Sequence, residues 1–148
     1  MNTKIPPPIV TATFGLIIYF SKSFSPGYSF ENSNMISVIF LLFGLGIFSA
    51  AVQSFKKHKT TINPLSPDKA SSLVNSGIFS YSRNPMYLGM LLILLSVSFK
   101  FNISGGLFIS FLFKIYITRF QIMPEEKAMA KLFGEEFITY KNQTRRWI

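Results

Sequence analysis

Two short groups of polar residues have the types and the spacing to hold a charged ligand at a membrane surface. Arg83 and Tyr87 stand at the start of one apolar segment, and Glu125 and Glu126 follow the end of the next apolar segment. A guanidinium binds a carboxylate through a planar fork of donors, and a carboxylate accepts hydrogen bonds from an ammonium group. Together the two groups predict a site for a ligand that carries both a carboxylate and an ammonium.

Each of these residues also has an ordinary explanation. Arg83 could reach lipid phosphates or follow the positive-inside rule, and Tyr87 could belong to the aromatic belt of a membrane interface. Glu125 and Glu126 would complement the dipole of a helix that begins near them, by about 0.3–1 kcal/mol each. The local sequence leaves both interpretations open for all four residues.

A second set of polar residues lies inside the last apolar segment. A charge at the depth of Lys114 costs about 2.5–3.5 kcal/mol on membrane-insertion scales, whereas Arg119 is near enough to the end of the segment to snorkel. Tyr116 and Arg119 share one helical face at i, i+3 spacing. Because such residues usually face a polar cavity, we expect Lys114, Tyr116 and Arg119 to contact a substrate; snorkelling is the alternative.

The composition is that of a membrane protein with one domain, residues 1–148. Hydrophobic residues make up 49% of the 148 residues and charged residues only 14%, which is too apolar for an ordinary soluble domain. The absence of cysteine excludes disulfides and thiol catalysis, and the single histidine, His58, is expected to be solvated in a loop, without a metal. The net charge of +9 points to anionic membrane lipid and not to nucleic acid as a partner.

The distribution of apolar residues predicts an all-α bundle of about four membrane helices, at residues 5–21, 32–55, 84–99 and 101–123. Only a short polar stretch separates the last two segments, so we expect them to form a tight hairpin. Residues 124–148 form an amphipathic tail that is expected to pack on the cytoplasmic face and cover the site. With the N-terminus inside, most of the 15 Lys and Arg residues are cytoplasmic. This predicts a protein of a bacterial inner membrane with both termini in the cytoplasm.

Single residues mark several of the predicted boundaries. Asn84 is a good N-cap and Pro85 a good first residue for the third helix, and Pro124 is expected to end the fourth. Gly134 predicts a break within the tail. Residues 44–46, Gly-Leu-Gly, favour close packing of helices over contact with a ligand.

Several motifs, in order, resemble those of the isoprenylcysteine carboxyl methyltransferase and phospholipid methyltransferase superfamily. Residues 77–89, with arginine, proline and tyrosine at positions 83, 85 and 87, resemble its arginine-x-proline knuckle, and residues 60–64 resemble its threonine-x-x-proline loop. The acid pair at 125–126 is followed by a similar stretch at 132–140 and by Arg-Arg-Trp-Ile at 145–148. The resemblance covers roughly residues 55–148.

The resemblance implies an S-adenosylmethionine-dependent methyltransferase embedded in the membrane, with its cofactor between the last two membrane helices and the C-terminal segment. On the matching positions, it implies that Arg83, Pro85, Tyr87, Glu125 and Glu126 line the cofactor pocket. From the charges of the cofactor, we expect Arg83 to hold its carboxylate and Glu125 or Glu126 its ammonium or ribose. We favour Glu126, and assign catalytic roles to Arg83 and Glu126. The full set expected to bind the cofactor is Arg83, Asn84, Pro85, Tyr87, Glu125 and Glu126. Eukaryotic carboxyl methyltransferases have histidine at the position of Asn84, which weakens the transfer of their substrate to this chain.

The expected methyl acceptor is lipophilic: an isoprenylcysteine-like carboxylate, a lipid or another hydrophobic molecule. The sequence shows no dedicated base for an amine acceptor, which favours a carboxylate or thiol. Two other functions stay open. A sterol-reductase-like membrane oxidoreductase that uses NADPH has a similar knuckle, although Glu125 and Glu126 would repel the cofactor phosphates, and a membrane scaffold without enzyme activity would need the charges only for topology.

Overall fold

The computed structural model describes residues 5–24, 31–58 and 70–148, and these ranges contain helices and no strand. The predicted all-α class is therefore confirmed for the described chain. A 3-10 turn, Gly77–Ser80, precedes the third helix, and a π-helical turn, Thr118–Ile122, joins the fourth to the fifth. The helices are α1 Pro7–Ser21, α2 Ser33–Lys57, α3 Pro85–Phe101, α4 Ile103–Ile117 and α5 Met123–Gln143. The predicted threonine-x-x-proline loop at 60–64 lies outside the described residues.

Among the residues that the structure describes, two helical stretches are long and apolar enough to cross a membrane, Ser33–Lys57 and the stretch from Ile103 to Gln143. The other two apolar helices, α1 and α3, have 15 and 17 residues. At a rise of about 1.5 Å per residue they are shorter than the ~30 Å hydrocarbon core of a bilayer. The second stretch runs beyond the predicted span 101–123 into the tail, and the four spans stay a prediction.

Helices α2 and α3 form the most extensive helix contact among the described residues. They run antiparallel, since Ser37 pairs with Ser96 and Gly44 with Gly89. Gly44 of α2 packs directly against Gly89 of α3: a Cβ added to Gly44 would lie 2.9 Å from the carbonyl oxygen of Gly89. Next to Gly46, by contrast, such an atom would have no neighbour within 4 Å among the described residues. The expectation of close packing at residues 44–46 is therefore confirmed, with Gly44 as the contact.

Polar side chains tie the helices together at the end of the bundle away from Arg83. Ser37 of α2 donates to the carbonyl oxygen of Ser96 in α3 at 2.9 Å. Asn102 alone separates α3 from α4; it caps α4 by accepting from the Gly105 N–H at 3.1 Å and donates to Ser21 of α1 at 2.9 Å. The predicted tight hairpin is confirmed, and its single connecting residue also fixes the position of α1.

The expected end of the fourth helix before Pro124 is wrong. The π-helical turn Thr118–Ile122 leads directly into α5, so that Pro124 occupies the first turn of that helix. The π turn shifts the hydrogen-bond register just before Pro124, and this shift accommodates a residue that has no N–H to donate. The expected break at Gly134 is confirmed, since its φ of 50° and ψ of −123° interrupt the helix.

Two apolar clusters organise the molecule, one inside the bundle and one beneath the tail. Phe137 and Tyr140 of the tail are buried, as an amphipathic tail predicts, whereas Leu132 is 45% exposed. Packing of the tail on the cytoplasmic face stays a prediction. The bundle core consists of Val10, Ile18, Tyr87, Met90, Leu94, Phe113, Ile117 and Ile122. The tail core consists of Ala51, Val74, Phe79, Phe137 and Tyr140.

Candidate functional site

A cavity of about 290 Å³ has walls from both the bundle core and the tail core. Most of its lining is apolar, and the polar side chains converge from the start of α3 and from α5. Its polar and charged side chains are Arg83, Asn84, Tyr87, Glu125, Glu126, Tyr140 and Ser72. The structure thus brings together every residue that we expected to bind the cofactor, because Pro85 also lines the cavity.

The segment before α3 is held in place by the end of the chain. The hydroxyl of Tyr140 donates to the carbonyl oxygen of Phe79 at 2.6 Å, and the N–H of Arg83 donates to the carbonyl oxygen of Arg145 at 3.0 Å. Gly77 begins the 3-10 turn with a φ of 65°, a left-handed conformation that glycine adopts without a steric penalty. The positions of Arg83 and of the C-terminal residues therefore depend on each other.

Arg83 is the most unusual residue of the site. Its side chain is only 8% exposed, and its Nη2 lies 3.1 Å from Oε1 of Glu126. The other two guanidinium nitrogens, Nε and Nη1, are buried and have no hydrogen-bond partner in the part of the chain that the structure describes. Burial lowers the pKa of Arg83, and the adjacent Glu126 opposes this shift. Buried donors without a partner are costly, so an anionic ligand would relieve this arrangement.

Glu126 is already engaged by two arginines. Arg146 binds it side-on, with Nε 2.9 Å from Oε1 and Nη2 2.7 Å from Oε2, while Arg83 shares Oε1. Burial by itself raises the pKa of Glu126, but the hydrogen bonds from Arg146 and the charge of Arg83 outweigh it and lower the pKa. Glu126 is therefore an ionised partner of two arginines before any ligand binds.

Glu125 has a different environment from its neighbour. The hydroxyl of Tyr87 donates a short hydrogen bond to Oε1 of Glu125, and both residues line the cavity. Burial raises the pKa of Glu125 to about 8, although the hydrogen bond from Tyr87 opposes the shift. No Lys or Arg side chain pairs with Glu125 within the described ranges. The carboxyl group of Glu125 is consequently the one that a cationic group of a ligand would bind.

The raised pKa of Glu125 predicts a pH-dependent stability. The folded-state pKa of Glu125 is about 8, above the unfolded value of about 4.3. Below about pH 4.3 Glu125 is protonated in both states and costs no stability. As the pH rises from about 4.3 to about 8, only the unfolded state ionises, so the free energy of unfolding falls. Glu125→Gln keeps an acceptor for Tyr87 and cannot ionise. We expect it to raise the melting temperature of the ligand-free protein by several degrees at pH 8 and to change it little at pH 5.

Thermal melts in detergent at the two pH values measure this difference. Glu136→Gln is the matched control, because Glu136 is an exposed acid on the same helix. Equal melting temperatures of Glu125→Gln and the wild type at pH 8 would show that Glu125 ionises without a penalty.

Asn84 occupies the predicted N-cap position, but its side chain does not cap the helix. Its Nδ2 donates instead to the carbonyl oxygen of Arg146 at 2.9 Å. Pro85 is the first residue of α3, as predicted. Asn84 therefore joins the start of α3 to the C-terminal segment, at a position where the eukaryotic carboxyl methyltransferases have histidine.

The three residues expected to contact a substrate are not part of this cavity as described. Lys114 and Arg119 are exposed, and Nζ of Lys114 lies 5.6 Å from the centre of the Trp147 ring. The ring of Tyr116 packs between aromatic rings of α1 and of the π turn. Lys114 and Arg119 thus lie on the outer surface of the bundle, and Tyr116 is half-buried against the bundle core. A substrate contact by these three residues stays a prediction.

Arg146, which binds Glu126, and the methionines that line the cavity were not among the predicted site residues. One sequence feature indicated a role for Arg146: it lies in the Arg-Arg-Trp-Ile ending that resembles the superfamily. Met86, Met90 and Met129 had none, because an apolar side chain on a cavity wall has the same sequence pattern as one in a core.

His58 differs slightly from expectation: it is half-buried at the end of α2, with Nδ1 2.8 Å from the carbonyl oxygen of Ser54.

Comparison with known proteins places these features in a family. An uncharacterized protein of Haemophilus influenzae is 38% identical over 63 residues, which are 43% of this chain and the whole of that protein. No solved structure matches the chain significantly. The phospholipid methyltransferase family matches residues 33–136, more than two thirds of the chain, from α2 through the Arg83 segment and both acids to α5. The protein belongs to the phospholipid methyltransferase family.

Proposed function

We propose that the protein is an S-adenosylmethionine-dependent methyltransferase that modifies a lipophilic acceptor at the membrane. Membership of the phospholipid methyltransferase family supports a membrane methyltransferase. The observation that carries the cofactor assignment concerns Arg83, which has two buried donors without a partner among the described residues. They lie in a cavity that also holds the carboxyl group of Glu125. These are the complements of a carboxylate and an ammonium.

The charged groups of the cavity fit the amino-acid end of S-adenosylmethionine. Nε and Nη1 of Arg83 would each donate a charge-assisted hydrogen bond to its carboxylate. Glu125 would hold its ammonium or a ribose hydroxyl, since Glu126 already binds two arginines. This assignment replaces our initial preference for Glu126, which would act on the ligand only through Arg83. When bound, the cofactor supplies a methyl group on a positively charged sulfur.

The remaining residues of the cavity would position the reactants and exclude water. Tyr87 orients the carboxyl group of Glu125 through its hydrogen bond, and Tyr140 and Phe137 hold the tail over the cavity. Methyl transfer by in-line displacement depends mainly on this kind of positioning. A cavity of about 290 Å³ is close to the lower end of the range typical for small-molecule sites.

The acceptor is proposed to be lipophilic because most of the cavity wall is apolar and flexible. Methionine side chains adapt to ligands of irregular shape, and three of them line the cavity together with aromatic rings from α2, the 3-10 turn and α5. The apolar lining includes Phe55, Val74, Phe79, Met86, Met90, Met129 and Phe137. A hydrocarbon chain would bind to such a wall without leaving a buried polar group unpaired.

We also propose four membrane spans, with both termini in the cytoplasm of a bacterial inner membrane. The short α1 and α3 would span with local thinning of the bilayer and with charges at their outer ends that reach the interface. Lys22 lies at the end of α1, with Nζ 3.9 Å from the centre of the Tyr19 ring, and Lys100 at the end of α3 donates to Asn34 at 2.9 Å. Lysine and aromatic residues of this kind are typical of a membrane interface.

Ligand-dependent thermal stability tests the cofactor assignment. The purified protein in detergent is melted alone, with S-adenosylhomocysteine and with NADPH. We expect S-adenosylhomocysteine at about 100 times its Kd to stabilise the protein by about 2.7 kcal/mol, and NADPH to have no effect. Stabilisation by NADPH alone would support the reductase alternative, and a folded protein that responds to neither ligand would contradict the proposed cofactor.

A further inference from the structure

We propose that Arg146 is a positioning residue that keeps two donors of Arg83 available to the ligand. The proposal rests on the proposed function, in which those donors bind the cofactor carboxylate. Arg146 is outside the residues that match the family, 33–136, and it is not one of the residues that line the cavity as described. It would therefore act on ligand binding through Glu126.

The way in which Glu126 is bound determines how many donors of Arg83 are available to a ligand. The guanidinium of Arg146 takes both carboxylate oxygens in a side-on fork, at 2.9 and 2.7 Å. Arg83 is left with a single contact, from Nη2 to Oε1 at 3.1 Å, and keeps Nε and Nη1 without a partner within the described residues. Arg146 thus prevents a two-donor contact between Arg83 and Glu126.

Without Arg146, Glu126 would become a competitor of the ligand. A carboxylate in a partly dry site binds most strongly to two parallel donors of one guanidinium, and Arg83 would be the arginine that remains beside it. Nε and Nη1 of Arg83 would also favour this change, because they are buried without a partner within the described residues and such donors are costly. The Glu126 carboxylate would then occupy the donors that the cofactor carboxylate requires.

Hydrogen bonds to the backbone hold Arg145 and Arg146 in position beside the start of α3. The carbonyl oxygen of Arg146 accepts from Asn84 at 2.9 Å, and that of Arg145 accepts from the Arg83 N–H at 3.0 Å. These bonds attach the segment to the start of α3 without using the Arg146 side chain. Shortening that side chain would therefore remove the fork on Glu126 while leaving the attachment of the segment in place.

The test is a titration of the full-length protein with S-adenosylhomocysteine. Arg146→Ala is expected to raise the Kd about tenfold, the equivalent of one lost charge-assisted hydrogen bond, and Arg145→Ala, the adjacent exposed arginine, is expected to leave it within about twofold. The decisive protein is the double variant Arg146→Ala/Glu126→Gln. It should bind several times more tightly than Arg146→Ala alone, because the amide has no charge with which to capture Arg83.

The direction of the double variant separates positioning from a merely structural role. If Arg146 only holds the C-terminal segment, removing Glu126 as well gives no rescue, and this result overturns the inference. Arg146→Lys provides a second route if Arg146→Ala does not fold: it keeps the charge but not the fork, and its smaller loss should also be rescued by Glu126→Gln. A wild-type protein that does not bind the ligand overturns the proposed function, whereas tight binding by both the wild type and Arg146→Ala overturns the inference alone.

Discussion

Arg83→Ala is expected to raise the Kd for S-adenosylhomocysteine by about ten- to a hundredfold and to abolish measurable methyl transfer. The variant removes a charge-assisted contact worth about 1.5–3 kcal/mol, at a position where Nε and Nη1 are buried without a partner within the described residues. Arg83→Lys is not expected to restore binding, since an ammonium lacks the planar fork. Calorimetric titration of the purified variants measures both effects.

The melting temperature of Arg83→Ala must be measured together with its ligand affinity, because the variant also leaves Glu126 with one arginine partner fewer. Arg146 still neutralises that carboxylate, so we expect a folded variant with a modestly lower melting temperature. Arg145→Ala is again the matched control, with near wild-type affinity. A folded Arg83→Ala protein that binds the ligand as tightly as the wild type would reduce Arg83 to a residue that follows the positive-inside rule.

Gly44→Ala is expected to destabilise the protein by about 1–3 kcal/mol or more, the usual cost of overpacking, and to separate α2 from α3. Its methyl group would lie 2.9 Å from the carbonyl oxygen of Gly89 and 3.0 Å from Cγ1 of Ile93. The backbone atom cannot move away without shifting α3, which begins at the site. We therefore expect a large fall in melting temperature and, in the protein that remains folded, weaker ligand binding.

Gly46→Ala provides the matched control on the same helix. A Cβ at this position would have no neighbour within 4 Å among the described residues, and alanine favours a helix over glycine by up to about 1 kcal/mol. The control should melt at or slightly above the wild-type temperature. Similar melting temperatures for Gly44→Ala and Gly46→Ala would contradict the close contact between α2 and α3.

The helical framework could be predicted largely from local signals. Apolar runs located the helices, and Asn84 with Pro85 located the start of α3 to the residue. The continuation of the helix through Pro124 could not be predicted, because it depends on a π-helical turn that shifts the hydrogen-bond register just before the proline. Such a turn has no local sequence signature comparable to a cap.

The composition of the site could be predicted better than the roles within it. The motifs selected the residues that meet in the cavity, but the difference between Glu125 and Glu126 comes from partners far away in sequence, Tyr87 and Arg146. Which acid each partner binds depends on how the tail folds over the start of α3. Lys114 shows a second limit: helical spacing does not distinguish a side that faces a cavity from one that faces outwards.

The most direct test of the central claim is a methyl-transfer assay with S-adenosylmethionine labelled on its methyl group. The purified wild-type protein is incubated with the labelled compound and a total membrane lipid extract, beside Arg83→Ala and a reaction without protein. We expect label in the organic-soluble fraction with the wild type only. Absence of label from that fraction, in a reaction with folded wild-type protein that binds S-adenosylhomocysteine, would contradict methyl transfer to a lipophilic acceptor of the membrane.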